Sequence, residues 1–145
     1  MKNRTKIFVF LTGILLVLYT GLAAQSAGEK IKPDEQLLQE AKLLIFDKKW
    51  SQAEQKLSEL LSRYPQSTCY AQALFYKGKC LAEQKGKELQ AWQTFEEFLN
   101  RPDKPESLVE EAQIACLDLA FNLYNSGQAS FGRILRDRMN DHSRV

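Results

Sequence analysis

From Pro33 onward, apolar residues recur every three or four positions in six successive stretches divided by short polar breaks. That spacing predicts amphipathic helices. Pro33-Asp34-Glu35 reads as a helix start with acids at the positive end of the dipole. Leu37, Leu38, Ala41, Leu44 and Ile45 make the first stripe, and Asp47-Lys48-Lys49 breaks it. Ser51 and Glu54 have capping-box spacing for a second helix. Its stripe is Ala53, Leu57, Leu60, Leu61 and Tyr64, and Pro65 stops it. Ser67 or Thr68 opens a third helix, in which Tyr70, Ala71, Ala73 to Tyr76, Gly78 and Cys80 to Ala82 leave few polar sides. A helix apolar nearly all round belongs at the centre of a fold. After the Lys85-Gly86-Lys87 turn, Ala91, Trp92, Phe95, Phe98 and Leu99 stripe the fourth helix.

A stiff break with two prolines, Arg101 to Pro105, leads to Ser107 and Glu110, again at capping-box spacing. The fifth helix carries Ala112, Ala115, Cys116, Leu119, Ala120, Leu123 and Tyr124 and ends at Asn125-Ser126-Gly127, where glycine suits a left-handed cap. Phe131, Ile134, Leu135 and Met139 stripe a last helix, and Arg133, Arg136 and Arg138 give it a wet face. No strand-like alternation appears after the N-terminal segment. Small residues recur in this series: Ala41 and Ala53 are 12 apart, Gly78 and Ala91 are 13 apart. Small residues at such points let two helices approach closely, so the expected fold is all-α, a short solenoid of three helix hairpins.

The first residues follow another logic. Lys2, Arg4 and Lys6 precede an apolar run from Ile7 to Leu18, and small residues follow through Ser26. This is the layout of a secretory signal peptide cut after Ala23 or Ser26. The alternative is an uncleaved inner-membrane anchor over Ile7–Ala24, at the short end of what spans a bilayer. Either reading places the remainder in the periplasm or outside the cell, because the positive charges stay inside. The expected organisation is therefore 1–27 signal or anchor, 28–33 linker, 34–139 helical domain and 140–145 tail. Residues 1–27 hold three of the 20 Lys+Arg and none of the 18 Asp+Glu, so the rest carries a formal net charge of −1. The chain's pI of about 8.4 then belongs to the leader. No basic stripe remains to neutralise phosphates, so no nucleic-acid partner is expected. Membrane contact is expected only through an uncleaved N-terminal segment. The 118 residues after the leader suffice for one domain with a modest core.

Cys69, Cys80 and Cys116 make an odd count, which leaves at least one thiol free or paired between chains in an oxidising compartment. Cys69 and Cys80 are 11 residues apart, about 16 Å along one helix, beyond the roughly 7 Å a disulfide bridges. Cys80 and Cys116 fall on the first helices of adjacent pairs, where they either face each other as a disulfide or serve as small buried apolar residues. Catalysis is not expected. The single histidine, His142, lies in the tail, which removes a His-based triad or metal cluster from the fold. The paired acids Glu96-Glu97 and Glu110-Glu111 point in different directions on a helix. Neither a Gly-rich phosphate loop nor a Cys-x-x-Cys is present. No metal and no cofactor is expected.

These residues resemble the tetratricopeptide repeat, a helix-turn-helix unit of about 34 residues. In the first unit Ala41, Trp50, Ala53, Leu57 and Pro65 match its small, aromatic, small, large apolar and closing-proline positions. Gly78, Gly86, Ala91, Phe95 and Phe98 match in the second, and Ala120 and Gly127 in the third, where Gly132 replaces the second-helix alanine and no closing proline follows. Ala41 to Gly78 is 37 residues and Gly78 to Ala120 is 42, both longer than the family's period. Longer units of this kind resemble the repeats of bacterial cell-envelope proteins, such as the outer-membrane barrel-assembly lipoprotein and the periplasmic coordinators of cell division. The lipid-attachment cysteine of a lipoprotein is missing.

The resemblance implies an interaction module or adaptor of the cell envelope, with first helices lining a concave face that holds a segment of a protein partner. It puts Lys42, Phe46, Phe75, Lys79, Glu83 and Tyr124 on that face. The competing reading of Phe75 and Tyr124 is core, since apolar residues at helical spacing are usually packing. The competing function is structural: a three-hairpin stack with a weak end covers its apolar edge by forming a homodimer.

Overall fold

The computed structural model describes residues 31–142. The expected signal segment 1–27, the first half of the expected linker and the last three residues lie outside them. Among the described residues the fold is all-helical: α1 (Pro33–Phe46), α2 (Trp50–Arg63), α3 (Tyr70–Ala82), α4 (Glu88–Leu99), α5 (Val109–Asn125) and α6 (Phe131–His142), with a short 3-10 turn, Glu106–Leu108, ahead of α5. The helices overrun the expected domain bounds slightly, since α1 takes in Pro33 and α6 extends beyond residue 139.

The helix starts differ from the expected caps. Lys49, not Ser51, precedes α2, and Leu108, not Ser107, precedes α5; neither helix has a side-chain cap. Glu54 is drawn elsewhere, to Gln84 Nε2 at 2.8 Å and Lys87 Nζ at 2.7 Å in the α3–α4 turn. Ser67 does organise the entry to α3: its Oγ accepts from the Cys69 amide at 2.9 Å and donates to Asp34 Oδ2 at 2.6 Å. The start of α1 is as expected, with proline in its first turn beside Asp34 and Glu35.

Two of the helix ends share one design. The Lys48 and Lys49 amides reach back to the Ile45 and Leu44 carbonyls, and the Gly127 and Gln128 amides reach back to Tyr124 and Leu123. Both are Schellman closures, with the left-handed residue at the same place. In α5 that residue is Gly127, at φ +99°, and in α1 it is Lys48, at φ 57°.

Each helix packs on the next in sequence, and α1 also reaches α3. Leu37, Leu38, Ala41, Ala53, Leu57 and Leu60 form one core cluster with Ala73 and Cys80 of α3. The opposite side of α3, through Ala71, Leu74, Phe75 and Leu81, joins Ala91, Phe95, Phe98, Ala112, Cys116 and Leu119. Thus α3 is buried on two sides, as its sequence implied. A smaller cluster of Ala120, Leu123 and Phe131 seats α6, with Trp92 alongside.

The small residues mark the close approaches. Ala41, Ala53 and Ala91 are fully buried. A Cβ added to Gly78 would stand 2.9 Å from the Phe95 ring, closer than a carbon contact allows. Of the two readings of Cys80 and Cys116, the buried apolar one holds and the disulfide does not: the three cysteines are free, and these two lie in different clusters of the core. Burial pushes both thiols up to about 12, so they remain protonated and act as small apolar side chains.

Candidate partner-binding surface

The residue after each small first-helix position defines a row. Ala41, Gly78 and Ala120 are followed by Lys42, Lys79 and Phe121. Lys42 Nζ lies 5.0 Å from the centre of the Tyr76 ring, so it reaches from α1 to α3. Lys79 Nζ lies 2.7 Å from Glu111 Oε1 and 5.6 Å from the Phe75 ring, so it reaches from α3 to α5. Phe121, the third in the row, is 56% exposed. The first helices therefore stand side by side, and this position passes from one to the next.

Four residues after Lys42 and Lys79, about one helical turn on, come Phe46 and Glu83. Phe46 closes α1 with 86% of its surface exposed. Glu83 caps α3 and is exposed. Lys42, Phe46, Lys79 and Glu83 thus set an aromatic ring and three charges at matching positions of α1 and α3. An aromatic ring held in water beside mixed charges is what a partner can bury with gain.

No family profile, characterised protein or solved structure matches this chain. The surface must therefore be read from its own chemistry.

Two of the expected partner-contact residues need revision. Phe75 is 1% exposed and is not available to a partner. Its ring packs edge-on to Phe95 at 5.9 Å and tilts against Phe98 at 5.6 Å, so here the packing reading is the right one. Tyr124 is 47% exposed, but its ring abuts Gly132, whose added Cβ would meet Tyr124 Cε2 at 2.9 Å. It belongs to the α5–α6 contact and only in part to the surface. The expected packing residues Ala41, Ala53, Leu57, Gly78, Ala91, Phe95 and Ala120 are all buried. Trp50 opens α2 and packs on the first cluster, while Pro65 lies exposed just past the end of α2.

The sequence reading passed over Ile114 and Phe121, 54% and 56% exposed on α5. The signal was present: Phe121 follows Ala120 as Lys42 follows Ala41. It was hidden because the long apolar run of α5 reads as core throughout.

A groove of about 580 Å³ between α1 and α2 is lined by Glu40, Leu43, Leu44, Gln52, Gln55, Lys56 and Glu59. Glu40, Leu43 and Leu44 lie round the helix from Lys42, at about 100° per residue. Lys56 pairs with Glu40 at 2.7 Å across this groove. The hydrogen bond from Lys56, with a second from Gln36, holds the Glu40 carboxyl below its usual range. Among the described residues no group of three His, Cys, Asp or Glu is placed to hold a metal ion.

Proposed function

We propose that this chain is an extracytoplasmic protein-interaction module of the tetratricopeptide type, an adaptor of the bacterial cell envelope that binds a partner segment along its first helices. One observation carries the reading. Lys42, Lys79 and Phe121 occupy one register on three neighbouring helices, with the exposed Phe46 and Glu83 one turn away. A regular array of first helices with an exposed aromatic among paired charges is a surface for an extended or helical segment. Aromatics at such places are frequent anchors of binding. The function is binding without chemistry.

The envelope location rests on the basic, apolar and small-residue layout of residues 2–26. Intact mass of the protein from its source cells tests it. A chain beginning after Ala23 or Ser26 is expected, and one that retains the leader in the cytosolic fraction overturns it.

Binding is tested by placing a photoreactive p-benzoylphenylalanine at Phe46 or Glu83 in source cells and, as a control, at the exposed Gln93 of α4. Adducts from positions 46 and 83 to one envelope protein, and none from 93, are expected. Adducts only to a second copy of this chain would instead favour the self-associating structural role.

A further inference from the structure

Among the described residues the row of first helices ends at α5, and the face left uncovered there is apolar. On α1 the face turned to the next first helix carries Leu38, Ala41, Lys42 and Ile45. Leu38 is 3% exposed and packs with Ala73 of α3, Lys42 lies over Tyr76, and Ile45 packs on the same cluster. Counting back from the shared Schellman closure, the same places on α5 are Leu117, Ala120, Phe121 and Tyr124. No described helix follows on that side. The last described helix, α6, packs towards α4 instead, with Phe131 edge-on to Trp92 at 5.0 Å and Arg138 paired with Glu96. Ile114 and Phe121 are consequently about half exposed, as is the part of Tyr124 that its contact with Gly132 of α6 leaves free. With Leu117 they recur at i, i+3, i+7 and i+10, a single stripe on the helix. Glu110 and Asp118 are exposed on the same side of α5, and neither has an ion pair among the described residues.

We propose that this face of α5 is a docking site for a basic amphipathic helix of a partner protein, laid beside α5 where the next helix of the row would stand. The inference rests on the reading of the chain as a binding module and names the kind of segment it takes.

The internal repeat argues for a helix, because α3 covers this face of α1 and α5 continues the pattern on α3. The stripe spacing suits helix anchors at i, i+3 or i+4, and i+7. Charge argues for a basic partner, since Glu110 and Asp118 flank the apolar residues without cations of their own. A second copy fits poorly. Three half-exposed side chains present on the order of 300 Å², well short of the roughly 800 Å² each partner buries in a stable interface. A twofold α5–α5 contact would also bring Glu110 and Asp118 of both copies together. A head-to-tail copy would offer the α1–α2 groove, where Leu43 and Leu44 stand with Glu40, Glu59 and a single cation, Lys56, already paired with Glu40 at 2.7 Å, a poor match for Glu110 and Asp118.

The test places p-benzoylphenylalanine at Phe121, in parallel with Phe46, in the full chain in source cells. Cross-linked peptides are then sequenced by mass spectrometry. The expected adduct from 121 lies in a Lys- or Arg-rich segment of another protein with apolar residues at helical spacing. Its yield should fall at least about fivefold in Glu110→Lys/Asp118→Lys, as expected for reversing two exposed charge contacts. Circular dichroism should be unchanged, because both side chains are exposed. An adduct to this chain, to lipid, or to an acidic or extended segment overturns the proposal, and so does an undiminished yield in the charge-reversed variant. Adducts from 46 but none from 121 would sink this site and leave the broader reading standing. Adducts from neither would sink both.

Discussion

Corresponding places in the second helix of each hairpin, four residues past the small contact residue, are taken by Leu57, Phe95 and Arg136. Leu57 and Phe95 are 0% and 1% exposed, and each anchors a core cluster; Arg136 is exposed. The first two hairpins thus combine a close approach with a large side chain that fills the space beside it. The third hairpin keeps the close approach, at Gly132 and Tyr124, but turns α6 so that Phe131, one residue before Gly132, is its buried member. Its cluster is the smallest of the three. The Trp92 Nε1 donor beside it is buried with no acceptor among the described residues, which is unfavourable. A small contact residue by itself does not make a hairpin rigid; the filled space next to it does.

The largest expected effect separates the hairpins at that position. Phe95→Ala should cost about 3–5 kcal/mol, because it empties the centre of the cluster shared by α3, α4 and α5. Arg136→Ala should change stability by no more than about 0.5 kcal/mol, as exposed substitutions generally do. Urea midpoints of the two variants check this. A loss at Arg136 comparable to that at Phe95 would mean that α6 is packed as firmly as α4.

The two helical glycines give the next contrast, with opposite signs. Alanine is favoured over glycine in a helix by about 1 kcal/mol, so glycine inside α3 needs a reason. The reason is the Phe95 ring, which is enclosed by Phe75 and its neighbours and cannot withdraw. Gly78→Ala should therefore cost about 1–3 kcal/mol through overpacking. At Gly132 the obstacle is the edge of a Tyr124 ring that is 47% exposed and free to swing outward. Gly132→Ala should be neutral, or stabilising by up to about 1 kcal/mol. Thermal melts of the pair decide it, and equal losses would remove the distinction between enclosed and open contacts.

Which features were legible in the sequence follows from what produces them. The six helices, the central burial of α3 and the buried alanines come from short-range periodicity and side-chain size, both written into the chain. The caps were misread because Ser51 and Glu54 have the right spacing, but Glu54 has better partners in Lys87 and Gln84, thirty-odd residues away. Phe75 was placed on the binding surface because the family geometry assigns that position outward. In this chain a smaller Gly78 lets Phe95 come close, and the rings of Phe75, Phe95 and Phe98 close over one another. Ile114 and Phe121 were missed for the converse reason. Their hydrophobicity reads as core, and they are exposed because no described helix of the row lies beyond α5. A stripe tells which residues share a face, and the number of neighbouring helices decides whether that face is covered.

The Schellman closures offer a smaller comparison. The same turn ends α1 with Lys48 and α5 with Gly127, at φ 57° and +99°. A side chain in the left-handed region costs about 1–2 kcal/mol. Glycine gives back part of that through the greater freedom of its unfolded chain. Lys48→Gly should then stabilise by about 0.5–1 kcal/mol and Gly127→Lys should destabilise by a similar amount. Lys48 is exposed, so little else changes in the first variant. A loss of stability in Lys48→Gly would show that this turn is not left-handed in solution.

The smallest expected effect concerns the polar joint between the first two hairpins. Burial raises the Glu54 carboxyl, but the hydrogen bonds from Lys87 and Gln84 outweigh it and hold the group below its usual value of 4.5. A carboxyl lowered on folding binds fewer protons folded than unfolded around that pH. It therefore stabilises the fold above the unfolded value, and the contribution is lost as pH falls through the folded value. Glu54→Gln keeps an oxygen facing Lys87 and removes the titration. The melting temperature of the parent should fall more steeply than that of Glu54→Gln between about pH 5 and pH 3, although the remaining carboxylates destabilise both in acid. Glu111→Gln is the matching control at the second junction. Its ion pair with Lys79 is more exposed, with 55% and 38% of the two side chains accessible, and solvent screens such pairs strongly. Its removal should therefore change stability at neutral pH by no more than about 1 kcal/mol. Parallel falls in the parent and Glu54→Gln would mean that the Glu54–Lys87 contact does not persist in solution and that the first two hairpins are joined by their apolar cluster alone.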